Sequence, residues 1–213
     1  MARILTLLAF WLCIGVPALA GKTVRIPIAD GFDFPVGKPD AAGYYKARGL
    51  RLRPPTHFGE DWNGRGGGNT DLGDPVYSIA TGIVVWAYDL RGGWGNVAII
   101  RHAYRDKATG QVRYCDSLYG HLNRMYVKVG QKVKRGQQVG TIGSNRGMYA
   151  AHLHFEIRHN IHIGMHRNKV ARSYANWADP TAFIRKYRRL RKEWGKQPVP
   201  IGTCPEYKGF RGL

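Results

Sequence analysis

Residues 151–157, Ala-His-Leu-His-Phe-Glu-Ile, place a polar side chain at every second position, with Leu153, Phe155 and Ile157 between. A period of two is that of a β-strand, not a helix. His152, His154 and Glu156 therefore share one strand face, neighbours lying roughly 6.6 Å apart along it. That spacing lets one imidazole hold a metal while the other touches what the metal binds. It equally suits the wet face of a half-buried strand, so the rest of the chain has to decide.

The surrounding sequence keeps the same period. Short β-like runs at 75–79, 82–88 and 96–100 are punctuated by turn residues, Gly92-Gly93 among them, as in an all-β sandwich or barrel. His102 ends the third run and reads as a histidine bonded at a sheet edge. Ser117-Leu118-Tyr119-Gly120-His121-Leu122 puts Tyr119 and His121 on one face of a further strand. From Val127 to Gly143, β pieces alternate with glycines in a cadence similar to that of biotinyl and lipoyl carrier hairpins. The modifiable lysine between two methionines is missing, which argues against a swinging-arm carrier.

Two more candidate ligands stand earlier. His57 and Asp61 are four apart, and Gly59 between them favours a strand running into a loop over a helix. The glycine-rich run from Asn63 to Gly73 reads as a flexible loop at the rim of whatever they line. His159, His162 and His166 form a rival set, but without a carboxylate and with Gly164 interrupting a helix.

The ends set the compartment. Met1-Ala2-Arg3, an apolar run to Val16 and Pro17-Ala18-Leu19-Ala20 have the layout of a signal peptide, so residues 1–20 are expected to be removed on export. Residues 21–53 read as a loosely packed lead-in, and Pro54-Pro55 opens the main domain, 54–178. The last part, 179–213, is a basic helix and tail. Asp179 caps that helix, Pro180 sits in its first turn, and Gly195 ends it. Phe183, Ile184, Tyr187, Leu190 and Trp194 form its apolar stripe, and Arg185, Lys186, Arg188, Arg189, Arg191 and Lys192 its cationic face. Lys and Arg total 33 against 14 acidic residues, a net charge of +19. Outside the cytoplasm such an excess points to anionic wall polymers or lipid head groups, not to nucleic acid. The basic face then docks on that surface, or is merely solvated. Cys115 and Cys204 remain after export, either joined in a disulfide or as two separate thiols.

His57-x-x-x-Asp61, Tyr119-x-His121-Leu122 and His152-x-His154 occur in an order that resembles the lysostaphin/LytM-type zinc endopeptidases, with likeness from about His57 to Arg158. The glycine-rich loop after Asp61 and the segment before Cys115 look longer than that family's connections. The resemblance implies an antiparallel β fold of two sheets around a narrow cleft. It implies one Zn²⁺ on His57, Asp61 and His154, with an open fourth position. By the same match His121 and His152 are the catalytic pair, with their division of labour open. Tyr119 and Glu156 are candidates for the surroundings of the metal or the substrate; Glu156 is equally readable as an exposed carboxylate. The implied substrate is the peptide part of peptidoglycan, cut by an exported, periplasmic or extracellular, monomeric enzyme. Two other readings stand beside it: a non-catalytic wall-binding relative or hydrolase activator, and an exported basic binding protein with an incidental zinc.

Overall fold

The computed structural model describes residues 22–207. The signal-peptide reading of residues 1–20 lies outside the described residues. Twelve strands and one α-helix are present among the described residues. In chain order the strands are β1 (Thr23–Pro27), β2 (Tyr44–Arg48), β3 (Glu60–Gly64), β4 (Pro75–Tyr77), β5 (Gly82–Asp89) and β6 (Asn96–Arg105). They continue with β7 (Val112–Met125), β8 (Lys132–Val133), β9 (Gln138–Ile142), β10 (Leu153–Arg158), β11 (Trp177–Ala178) and β12 (Lys196–Pro200); the helix α1 is Pro180–Lys186.

The main sheet runs β2-β3-β10-β7-β6-β5-β8, with β11 on β10, and β9 pairing both β7 and β4. All pairings are antiparallel, and the sheet does not close into a barrel. The core gathers Val76 from β4, Val139 and Ile142 from β9, and Tyr119, Leu153, Phe155 and Ile157 from β7 and β10. The β4–β9 pair thus covers the inner face of the long strands, and each fully buried aliphatic or aromatic side chain there contributes about 1.5–3 kcal/mol.

Strand β10 holds the sequence's most regular alternation, but neither of its faces is wet: all six residues are buried. It lies between β3 and β7, with His154 opposite both Asp61 and Gly120. Its apolar side enters the core, and its polar side is roofed by Trp177, whose Nε1 donates to Glu156.

Several expectations need correction. The lead-in is not loose: Ile26, Phe32, Phe34 and Val36 are buried, β2 extends the main sheet, and β1 pairs with β12 near the other end. The loop after Asp61 is tied down; Asp71 is buried and accepts from the Gly64 N–H, while Asn69 accepts from the Ala151 N–H. The basic helix is half its expected length. Asp179 caps it as foreseen, accepting from the Ala182 N–H, but it stops at Lys186. Beyond it Arg188 is drawn into ion pairs with Asp33 (2.6 Å) and Asp40, and the Leu190 N–H donates to the Asp30 carbonyl. Those bonds favour an extended path, which leaves Trp194 86% exposed and off any helical stripe. Arg185, Lys186, Arg189, Arg191 and Lys192 remain exposed, on a short helix and the irregular segment after it.

Among the described residues Cys115 and Cys204 are both free. On β7, Cys115 points with Tyr119 into the main core, while the alternate residue Leu118 faces the cluster against which Cys204 packs. The two thiols are on opposite faces of the sheet, so of the two alternatives the separate thiols hold and the disulfide is not made. No helix among the described residues is long and apolar enough to cross a membrane.

His102 is not at an edge. It sits inside β6, fully buried, with Nδ1 donating to the Thr81 carbonyl and Nε2 accepting from the Ser117 hydroxyl. Burial pushes its pKa down from 6.5 to about 4. A lowered histidine pKa means that the unfolded chain binds the extra proton first, so this residue's contribution is intact above about pH 6.5. It fades as the pH falls to about 4 and is constant below, a change of about 3 kcal/mol. Comparing denaturant unfolding of wild type and His102→Gln between pH 4 and 7 isolates this contribution. The variant should show the shallower loss, and parallel curves would refute it.

Candidate metal centre and cleft

Three strand features bring the candidate ligands together. His57 precedes β3, where its backbone bridges Arg51, and Asp61 lies in β3 directly opposite His154. Gly59 lets this segment lie against β10: a Cβ there would come within 2.3 Å of the Phe155 carbonyl oxygen. His57 Nε2, Asp61 Oδ1 and His154 Nδ1 then converge, at 3.0 Å, 3.1 Å and 2.9 Å from one another.

The outer contacts of the two rings decide what those atoms are. His57 Nδ1 lies 2.9 Å from the Gly49 carbonyl, and His154 Nε2 lies 2.9 Å from Glu156 Oε1. Neither partner can donate, so each of those ring nitrogens carries a proton, and in the neutral imidazole the inward nitrogen is the one with the lone pair. With Asp61 Oδ1 the cluster is three acceptors facing one point, which is stable only around a positive charge. The ionisation of the group says the same. Burial alone pushes Asp61 up and His154 down, but each is overruled by its partners: Asp61 falls well below the usual carboxylate range, and His154 rises, so that without a metal a proton on His154 supplies the positive charge this cluster calls for. Two imidazoles and one carboxylate, with no thiolate to close the set, suit Zn²⁺ in an open site. Among the described residues this is the one group so arranged to hold a metal.

Glu156 is not exposed. It is buried, with Oε1 taking the His154 proton and Oε2 accepting from Arg158 Nε at 2.7 Å. Burial would raise its pKa, yet Arg158 and His154 hold it low, so it stays ionised and fixes the His154 tautomer.

His121 and His152 open into the same cleft, about 780 Å³ in volume, their ring centroids 4.9 Å apart. His152 Nδ1 donates to the Ala150 carbonyl, and its Nε2 stands 4.0 Å from Asp61 Oδ1. His121 gets there by a bulge. Between the β6–β7 pairs Ala98–Tyr119 and Asn96–Leu122, β7 carries one residue more than β6, and His121 takes φ +61°. Alternation therefore breaks at Gly120, and Tyr119 and His121 do not share a face. Tyr119 is buried in the core, where its hydroxyl accepts from the Ile79 N–H; it does not line the cleft. Burial, then the neighbouring His154 and His152, push the His121 pKa down to about 3.

The rival histidines do not assemble. His159 packs beside Phe183, and His166 bonds the Glu206 carbonyl beside the Tyr207 ring. Three cleft residues escaped the sequence reading. Tyr149 lies 2.6 Å from both His121 Nδ1 and the Gly93 carbonyl; its place just before β10 was the available signal. Trp94 stacks on His121 and was marked by its glycine-rich turn. Arg167 follows His166 in a single turn that no pattern announced.

Residues 57–170 match the model of Peptidase family M23. The chain belongs to this family. The match spans the triad, both cleft histidines and Arg167, and excludes β1, β2 and β12. Over 87 residues this M23 chain is 38% identical to the murein hydrolase activator NlpD of Escherichia coli, covering 41% of the chain and 20% of that protein. Over 86 residues it is 36% identical to the peptidoglycan DD-endopeptidase ShyA of Vibrio cholerae, covering 40% of the chain and 18% of that protein. It thus spans a fifth or less of either relative. The catalytic domain of lysostaphin from Staphylococcus simulans aligns with 67% of this chain and 92% of its own, at 28% identity and a TM-score of 0.48.

Proposed function

We propose that this M23 chain is an exported, zinc-dependent endopeptidase that hydrolyses peptide bonds of peptidoglycan. The observation that carries the reading is the convergence of three ligand atoms, His57 Nε2, Asp61 Oδ1 and His154 Nδ1, beside two further histidines that line the same cleft. His57, Asp61 and His154 would hold Zn²⁺, which when bound polarises a scissile carbonyl and acidifies water. The chain's own part is acid–base work. His152 Nε2, the free base nearest the triad, takes a proton from the attacking water and returns it to the leaving amine. His121 stays neutral and lines the opposite reach of the same proton path. Glu156 keeps His154 Nδ1 free for the metal throughout.

A second reading has support of its own, since the E. coli relative is named a murein hydrolase activator. It needs no acid–base pair, whereas here both histidines are present in the cleft. The excess of positive charge, exposed at Arg185, Lys186, Arg189, Arg191 and Lys192, favours an anionic envelope surface as the working place in either case.

Purified protein incubated with cross-linked muropeptides should release new amino and carboxyl termini, detected by mass spectrometry. Chelation should stop this and added Zn²⁺ restore it, and adsorption to whole sacculi should weaken as salt rises. Intact muropeptides in the presence of bound zinc would favour the activator; cleavage indifferent to chelation would remove the metal from the mechanism.

A further inference from the structure

Two arginines line the cleft, and they are differently occupied. Arg48, from β2, has its Nη1 3.6 Å from Asp61 Oδ2, the carboxylate oxygen turned away from the triad. Among the described residues Arg167 has no hydrogen-bond acceptor. Its guanidinium lies 4.4 Å above the centre of the Trp94 ring, with Phe58 beyond. The nearest carboxylate oxygen is Glu156 Oε1 at 3.8 Å, and it is already committed to His154, as Oε2 is to Arg158 and Trp177. A guanidinium carries five N–H donors, and with the side chain 31% exposed those of Arg167 stay open to a ligand in the cleft. Burial lowers the Arg167 pKa from its ordinary value, and Glu156 only partly offsets this. The only carboxylate among the cleft residues is Asp61, which belongs to the triad.

We infer that Arg167 is a specificity-determining residue that binds a free carboxylate of the substrate peptide beside the bond presented to the triad. The Trp94 ring 4.4 Å from the guanidinium carbon anchors the group at the cleft wall, and a guanidinium takes a carboxylate through two parallel N–H bonds. The ligand is therefore an acidic peptide; a neutral one leaves the five donors as they are. This assignment rests on the peptidase reading of the cleft, but its test does not depend on turnover.

The probes are a cross-linked peptidoglycan peptide with free carboxylates and the same peptide with all carboxylates amidated. In zinc-free protein, where neither is cut, calorimetry should show the acid bound roughly 10- to 100-fold more tightly than the amide. In zinc-loaded protein the same ratio should appear in kcat/KM, carried by KM. Arg167→Gln should bring both ratios close to one, and Arg167→Lys should keep part of them, because the charge survives while the fork is lost. Equal affinity for the two peptides in wild type, or a preference undiminished in Arg167→Gln, overturns the assignment. If the acid is preferred through Arg167 but neither peptide is cut with zinc bound, the carboxylate site stands and the peptidase reading falls.

Discussion

Replacing His57, Asp61 or His154 by alanine is expected to remove bound zinc and peptide cleavage together, down to the uncatalysed background. Each residue supplies one of three converging lone pairs, and two ligands seldom retain a labile catalytic ion. The loss has a thermodynamic signature besides activity. Zinc bound only by the folded wild type adds stability, about 2.7 kcal/mol at a hundredfold excess over its Kd, so unfolding temperature should climb with added Zn²⁺. In the three alanine variants it should stay flat. Glu156→Gln is the informative intermediate case. It leaves the three ligand atoms in place but weakens the acceptor that holds the His154 proton on Nε2, so metal affinity should fall by roughly 10- to 100-fold instead of vanishing. Zinc counted by elemental analysis after dialysis settles the ranking. An alanine variant of the triad that retains stoichiometric zinc would displace the metal from this site.

How far these residues could be read in advance depended on whether local periodicity survived into the fold. It did in β10, where alternation correctly set His154 and Glu156 on one side and Leu153, Phe155 and Ile157 on the other. What the pattern missed was the roof over the polar side. A strand with charged alternate residues reads as half-wet, and only tertiary packing of Trp177 and Arg158 makes those positions interior. Periodicity failed at Gly120-His121, because one extra residue in β7 changes the face of everything after it, and Tyr119 was consigned to the wrong side.

Longer-range errors share another cause: long-range partners that no local window contains. The lead-in looks irregular between its glycines and prolines, yet Phe32 and Phe34 bury against partners far along the chain, Phe32 on Phe183 and Phe34 on Trp62. The helix after Asp179 has an unbroken apolar stripe on paper, but Arg188 finds Asp33 and Asp40, and the backbone gives up its last two turns to let it reach them. Cys115 and Cys204 were an even pair with no information on facing, and the sheet lies between them.

His121→Ala and His152→Ala are expected to leave zinc bound and to slow cleavage by roughly 10²- to 10⁴-fold, the range that a positioned acid–base group supplies. Neither side chain is among the three converging atoms, so metal content should not change. The two variants should nevertheless differ. His152 Nε2 stands 4.0 Å from Asp61 Oδ1, on the margin of the triad, with its other nitrogen already donating to Ala150. It is placed to exchange a proton with water held near the triad, and its loss should abolish the acid limb of the pH–rate profile. His121 is tied differently. Tyr149 has a single hydroxyl proton, and the Gly93 carbonyl beside it can only accept, so that proton goes to Gly93 and the hydroxyl oxygen accepts from His121 Nδ1–H. Its Nε2 thus faces the cleft as a neutral acceptor, and burial disfavours any charged form. Removing it should lower kcat while the acid limb survives, and Tyr149→Phe should reproduce a weaker version by freeing the ring to turn. Rate constants measured across pH 5–9 with a soluble peptide, at full zinc occupancy, provide the comparison. An acid limb that disappears with His121 and persists without His152 would exchange their roles, and undiminished rates in both variants would leave the cleft with a metal but no acid–base chemistry.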